Sequence, residues 1–170
     1  MITIDYNRRA AVAYANRWAL SRNPEFYDYS VIGGDCTNFA SQTVYAGTGV
    51  MNYTRDTGWY YINANDKSPS WTGVDYFYNF MINNEGIGPY AEERDLRGLL
   101  PGDIIQFGDE NGNFYHTVIL TDILRFYNRR IYYVAAHTVD SYRRNLASYN
   151  FETYRGIHIL GARVEDSFNE

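Results

Sequence analysis

Residues 33–42 read Gly33-Gly34-Asp35-Cys36-Thr37-Asn38-Phe39-Ala40-Ser41-Gln42, and Cys36 is the only cysteine among 170 residues. A lone cysteine forms no intrachain disulfide, so Cys36 is not a staple. Two glycines make a turn before it, Asp35 is a good N-cap, and the apolar spacing of Phe39, Ala40, Thr43 and Val44 predicts a helix from about Cys36 to Ala46, ending at Gly47. A thiol at a helix start meets unpaired N–H groups and the positive end of the dipole, the setting that favours a thiolate. The competing reading of a free cysteine is a small buried hydrophobe. The turn, the cap and the helix together favour a nucleophile.

Working outward, Asp5 as N-cap with Ala11, Tyr14, Ala15, Trp18 and Ala19 on one face predicts a helix over 5–20, ended by Asn23-Pro24. Residues 48–70 are irregular and polar. Trp71, Val74, Phe77, Tyr78 and Met81 predict a helix over 71–84, with Thr72 and Asp75 as a variant capping box. After Gly102 the period changes from helical to alternating. Ile104–Phe107, Tyr115–Thr121, Ile131–His137 and Ile157–Val164 read as strands of one antiparallel sheet, with Asn111-Gly112 as a hairpin turn. Helices followed by strands predict an α+β domain, a single one spanning 1–170.

Composition narrows the function. Charged residues make up 21% and apolar residues 45%, the balance of a folded domain, and the net charge of −5 with no basic stripe argues against nucleic acid. No apolar run reaches the length of a membrane span or a signal peptide, so no export signal is read from this sequence. The 18 tyrosines suit either a groove for sugars or peptides, or ordinary strand faces.

The strand beginning at His116 supplies a candidate general base for Cys36. A third group is needed to orient the imidazole; His137, closing the next strand, is preferred, with Asp122 and Asp140 as alternatives. The Cys36 N–H would form half of an oxyanion hole, and Tyr27 or Tyr29 the rest. Trp59, Tyr60 and Trp71 are candidates to wall the cleft, with core packing an equal alternative. Asp109-Glu110-Asn111-Gly112-Asn113 reads as a turn and not a calcium loop. The histidines at 116, 137 and 158 lack zinc spacing, so neither a metal nor an organic cofactor is expected.

These segments resemble the putative amidase domain family, related to the NlpC/P60 and CHAP cysteine amidases. The resemblance is carried by Gly34-Asp35-Cys36-Thr37-Asn38-Phe39-Ala40-Ser41-Gln42, Trp59-Tyr60-Tyr61, Pro101-Gly102-Asp103, His116-Thr117-Val118-Ile119 and Ala136-His137-Thr138-Val139-Asp140. It implies a papain-like α+β fold with Cys36 as nucleophile, His116 as base and His137 as the polar third residue. It further implies cleavage of amide bonds in bacterial cell-wall peptides, and an extracellular or cell-wall location. A non-catalytic module gripping cell-wall peptide or glycan is the rival expectation on the same scaffold.

Overall fold

The computed structural model describes residues 1–167. Along the chain run β1 (Ile2–Asp5), α1 (Arg8–Trp18), α2 (Asp35–Thr48), the small hairpin β2 (Tyr61–Asn63) and β3 (Asp66–Lys67), then α3 (Pro69–Thr72) and α4 (Val74–Asn83). The remainder is β4 (Gly88–Arg94), β5 (Ile104–Gly108), β6 (Phe114–Phe126), β7 (Arg129–Ala136), β8 (Ser141–Asn145) and β9 (Thr153–Val164). Seven strands form one antiparallel sheet, ordered β1-β9-β5-β6-β7-β8, with β4 on the other edge of β9. One edge of β9 takes β5 along residues 153–157 and then β1 along residues 161–164. This is the α+β class, with the N-terminal helices packed on a curved, partly open sheet.

Alternation along β5, β6 and β7 separates two apolar layers. Ile104, Ile119 and Ala135 face the helices and join Ala11, Ala15, Phe39, Trp59, Trp71 and Phe77. Ile105, Phe107, Val118, Leu120 and Val134 face the other way, under Leu99 and Leu146. A β-strand shows its side chains alternately to opposite faces, so the parity of a residue in β6 decides which layer it enters.

Several predicted boundaries move. Asp5 is not a helix cap; it pairs with Gly161 in the sheet, and Asn7 caps α1 by accepting the Ala10 N–H at 3.0 Å. The cap of α2 is Gly34, at φ +95, with Asp35 already inside the helix. Gly47 does not end α2; that falls to Gly49, whose φ of +66 is the left-handed stop that glycine supplies. The helix expected over 71–84 is broken at Gly73, whose extended φ and ψ of −96° and 128° separate α3 from α4. Its proposed capping box is absent: Thr72 accepts a hydrogen bond from Lys67, and Asp75 pairs with Arg155.

Candidate functional site

Cys36 occupies the first turn of α2 and is 6% exposed. The first bond of the helical ladder is Asn38 N–H to the Gly34 carbonyl at 2.9 Å, so the N–H groups of Asp35, Cys36 and Thr37 precede the ladder. Thr37 anchors this turn to the sheet: its hydroxyl meets that of Thr117 on β6 at 2.9 Å, and Gln106 on β5 donates to Thr117 at 3.2 Å. The Cys36 Sγ lies 3.8 Å from the Thr37 hydroxyl.

Thr117 on the helix side puts its neighbour His116 on the other side. His116 packs with Phe107 and Tyr149, ring centroids 5.8 and 6.3 Å away, in the layer opposite α2. Burial, reinforced by the nearby positive charge of Arg144, pushes the His116 imidazole down to about 4. The expected Cys36–His116 pair is therefore not formed. The sheet stands between the His116 ring and the Cys36 helix, because the contact of Thr117 with Thr37 fixes the parity of β6.

His137 is on the helix side. It follows the last residue of β7, is 1% exposed, and stacks on Phe39 of α2 with centroids 3.9 Å apart and planes 6° from parallel. Its Nδ1 lies 2.6 Å from Asp35 Oδ2, and its Nε2 lies 2.8 Å from the Trp18 carbonyl. It is not beside His116 as expected, but is bonded to the residue immediately before Cys36.

Asp35 is the hub. Its Oδ1 accepts the Tyr29 N–H at 2.9 Å and the Asn38 side-chain amide at 3.0 Å. Burial alone would raise the Asp35 carboxyl; the hydrogen bonds from His137, Asn38 and Tyr29 outweigh it, and the group is held below the usual carboxylate range. Arg22 closes the network. It donates to both carboxylate oxygens of Asp140 at 3.0 and 2.9 Å and to the Ser30 hydroxyl at 3.0 Å, with its Nε 3.3 Å from Asp35 Oδ2. In the sequence Asp35 has the look of a helix cap, and Arg22 stands in no motif. The available signal for Asp35 was its adjacency to Cys36; Arg22 carried none.

The other candidates fall elsewhere. Trp59 and Trp71 are fully buried, donating from their indole nitrogens to Ser41 Oγ and Asn38 Oδ1, so they build core and not cleft walls. Tyr60 is buried as well. Tyr29 is buried, its hydroxyl donates to the Ala64 carbonyl at 3.0 Å, and burial pushes that hydroxyl up to about 12. Tyr27 is half-exposed and packs edge-on against Tyr29. Asp122 pairs with Arg143 on the surface, and Asp140 with Arg22, neither reaching a histidine as its main partner. Asp109 folds its own turn, accepting the N–H groups of Asn111 and Asn113. Among the described residues, no three His, Cys, Asp or Glu side chains group as a metal site, and no helix is long and apolar enough to cross a membrane.

An antiparallel sheet carrying a helix that opens with Gly-Asp-Cys is the class of structure in hand, and residues 5–160 match the putative amidase domain. The chain belongs to that family. Over 118 residues it is 32% identical to the uncharacterized protein YhbB of Bacillus subtilis strain 168, covering 68% of this chain and 37% of the relative. The chain thus spans a little over a third of that relative's length. No solved structure matches the chain significantly.

Proposed function

We propose that this chain is a thiol-dependent amide hydrolase in which Cys36 is the nucleophile and the unladdered N–H groups of the first turn of α2 receive the oxyanion. Membership of the amidase family supports hydrolysis of an amide bond. The single observation that carries the assignment to Cys36 is its place in that turn, next in sequence to the carboxylate that holds His137.

His137 takes the imidazole role in this reading. Asp35 holds its Nδ1, the arrangement by which a carboxylate orients a catalytic histidine. Its Nε2, within hydrogen-bond distance of the Trp18 carbonyl at 2.8 Å and of Arg22 at 3.2 Å, must exchange these partners to serve the thiol and the leaving amine. The thiolate adds to the amide carbonyl, the amine leaves with a proton from the imidazole, and water then releases the acyl group. Cell-wall stem peptides or their cross-links are the proposed substrates, and residues 1–170 are proposed to act as one catalytic unit.

A second reading is a non-catalytic module that binds the same peptides. The placement of His116 across the sheet favours it, since the one histidine on a strand of the expected pattern cannot reach the thiol.

Mass spectrometry of defined peptidoglycan fragments separates the two. The hydrolase reading expects new fragments with the wild type, none with Cys36→Ala, a loss of at least about 100-fold with His137→Ala, and near-normal cleavage with His116→Phe. Unchanged cleavage by Cys36→Ala would refute the thiol mechanism. Tight binding of intact fragments, with no cleavage and a Cys36 inert to iodoacetamide, would establish the binding module instead.

A further inference from the structure

The hairpin of β6 and β7 runs past its neighbours. Pairing with β5 stops at Ile119 and pairing with β8 at Tyr133, beyond which β6 and β7 continue as two strands to Phe126 opposite Arg129. At the tip, Phe126 and Tyr127 pack edge to face at 4.7 Å and are 61% and 92% exposed. Tyr127 holds a φ of +54, a left-handed conformation uncommon for a bulky side chain. A soluble surface gains nothing from two adjoining aromatic rings held out at the end of a two-stranded ribbon.

The charge around this tip is one-sided. Between Asp122 and Asp140 the sequence has no acidic residue but carries Arg125, Arg129 and Arg130, within a chain whose net charge is −5. Arg125 and Arg130 stand directly opposite each other on the two strands, a like-charge pairing that costs stability in isolation. Among the described residues, no carboxylate makes an ion pair with Arg97, Arg125 or Arg129. Arg130 donates to the Arg97 carbonyl at 3.0 Å. An open cleft of about 750 Å³ runs along the flank of the hairpin, its walls including Arg97, Leu124, Arg129, Ile131 and Tyr154, with Asp95 as its acidic member.

We propose that the β6–β7 hairpin tip docks the protein onto an anionic lipid surface, with Phe126 and Tyr127 at headgroup depth and Arg97, Arg125, Arg129 and Arg130 against the lipid phosphates. Aromatic rings with a polar edge settle at the membrane interface, and arginines near it are attracted by anionic headgroups. A lipid surface fits better than an acidic peptide because Tyr127, 92% exposed at the turn, is not among the walls of the cleft, which take in Leu124 and Phe126 but leave this ring to solvent. Contact with phosphates also relieves the opposed Arg125–Arg130 pair. This inference is independent of the chemistry at Cys36.

Co-sedimentation of the full chain with vesicles tests it. The expected result is binding to vesicles of equal phosphatidylcholine and phosphatidylglycerol and none to phosphatidylcholine alone. Binding should be released as ionic strength rises from about 0.01 M to about 1 M, where the screening length falls from about 30 Å to about 3 Å. Neutralising each arginine weakens binding about fivefold. The pairs Phe126→Ser with Tyr127→Ser, and Arg129→Glu with Arg130→Glu, abolish it with an unchanged circular dichroism spectrum, whereas Cys36→Ala binds as wild type. The salt series on the wild type needs no variant to fold. No sedimentation with anionic vesicles, equal binding to both vesicle types, undiminished binding by the variants, or binding to polyglutamate in place of vesicles would each overturn the proposal.

Discussion

His116 shows how far one position of strand parity reaches. Its ring is half-buried in the far layer against Phe107 and Tyr149, and its imidazole is held at about 4, against about 6.5 in an unfolded chain. The native state therefore binds fewer protons than the unfolded state between these values, and stability rises with pH across that window. The contribution is complete above about pH 6.5, is lost as pH falls towards 4, and is constant below. It amounts to about 2–3 kcal/mol at most, allowing for the partial exposure of the ring. His116→Phe keeps the aromatic packing and removes the proton linkage. Urea denaturation of both proteins at pH 7 and pH 4.5 is expected to show a smaller acid loss for the variant by about that amount. Equal losses would mean that His116 is not the group responsible. The sequence displayed His116 on a strand but not the face it takes, because facing is set by which neighbour meets α2. Thr117 wins that place through its hydroxyl bond to Thr37. His137 could be read at the end of its strand, but its partner could not: Asp35 looked like a helix cap, and the glycine before it took that role.

Elements with their own apolar pattern could be read directly, and those defined by a partner could not. α2 and the strands β5, β6, β7 and β9 carry buried side chains at the spacing their geometry requires. β1, β4 and β8 each pair with a single neighbour at a sheet edge. β1 buries almost nothing, β4 contains a proline, and β8 reads Ser141-Tyr142-Arg143-Arg144-Asn145, so their pairing is imposed by β9 and β7. The end of α2 is a related case. Gly47 looked like a stop signal, but it is a helical residue in the last turn of α2 at a close approach. A Cβ placed there would lie 2.2 Å from the Tyr6 ring and 3.1 Å from the Asn7 carbonyl. Helix propensity alone would make Gly47→Ala stabilising by about 1 kcal/mol. Overpacking costs about 1–3 kcal/mol, and Tyr6 cannot swing away without losing its hydrogen bond to the Gly102 carbonyl at 2.9 Å. The clash is expected to prevail, lowering the melting temperature by several degrees. A rise in melting temperature would show that Tyr6 yields easily and that the α1–α2 approach is loose.

At the scale of the whole molecule, one buried carboxylate joins parts of the chain that are remote in sequence. Asp103, fully buried, accepts from Arg8 at 2.8 Å and the Ile159 N–H at 3.0 Å through Oδ1. Through Oδ2 it accepts the Leu100 N–H at 2.8 Å and meets His158 Nδ1 at 2.7 Å. Arg8 opens α1, Asp103 leads into β5, and His158 lies in the middle of β9, so the start of the helical layer is fastened to the centre of the sheet. The Pro-Gly-Asp sequence at 101–103 stood out only as part of the family resemblance; its role as a fastener was not legible, since it depends on partners 95 and 55 residues away. Asp103→Ala leaves a guanidinium, an imidazole and two backbone N–H groups facing a void, and removing one partner of a buried pair costs about 3–5 kcal/mol. That is a large part of the stability of an ordinary domain, about 5–15 kcal/mol. Arg8→Met should cost less, because Arg8 is partly exposed and its stem is replaced by apolar volume. If the two act as one unit, the double variant loses less than the sum of the single losses, by about 1–3 kcal/mol. Denaturant titration of the four proteins measures this coupling. Strict additivity would mean that α1 is held to the sheet by apolar packing alone, with the buried charge cluster a local feature of the turn.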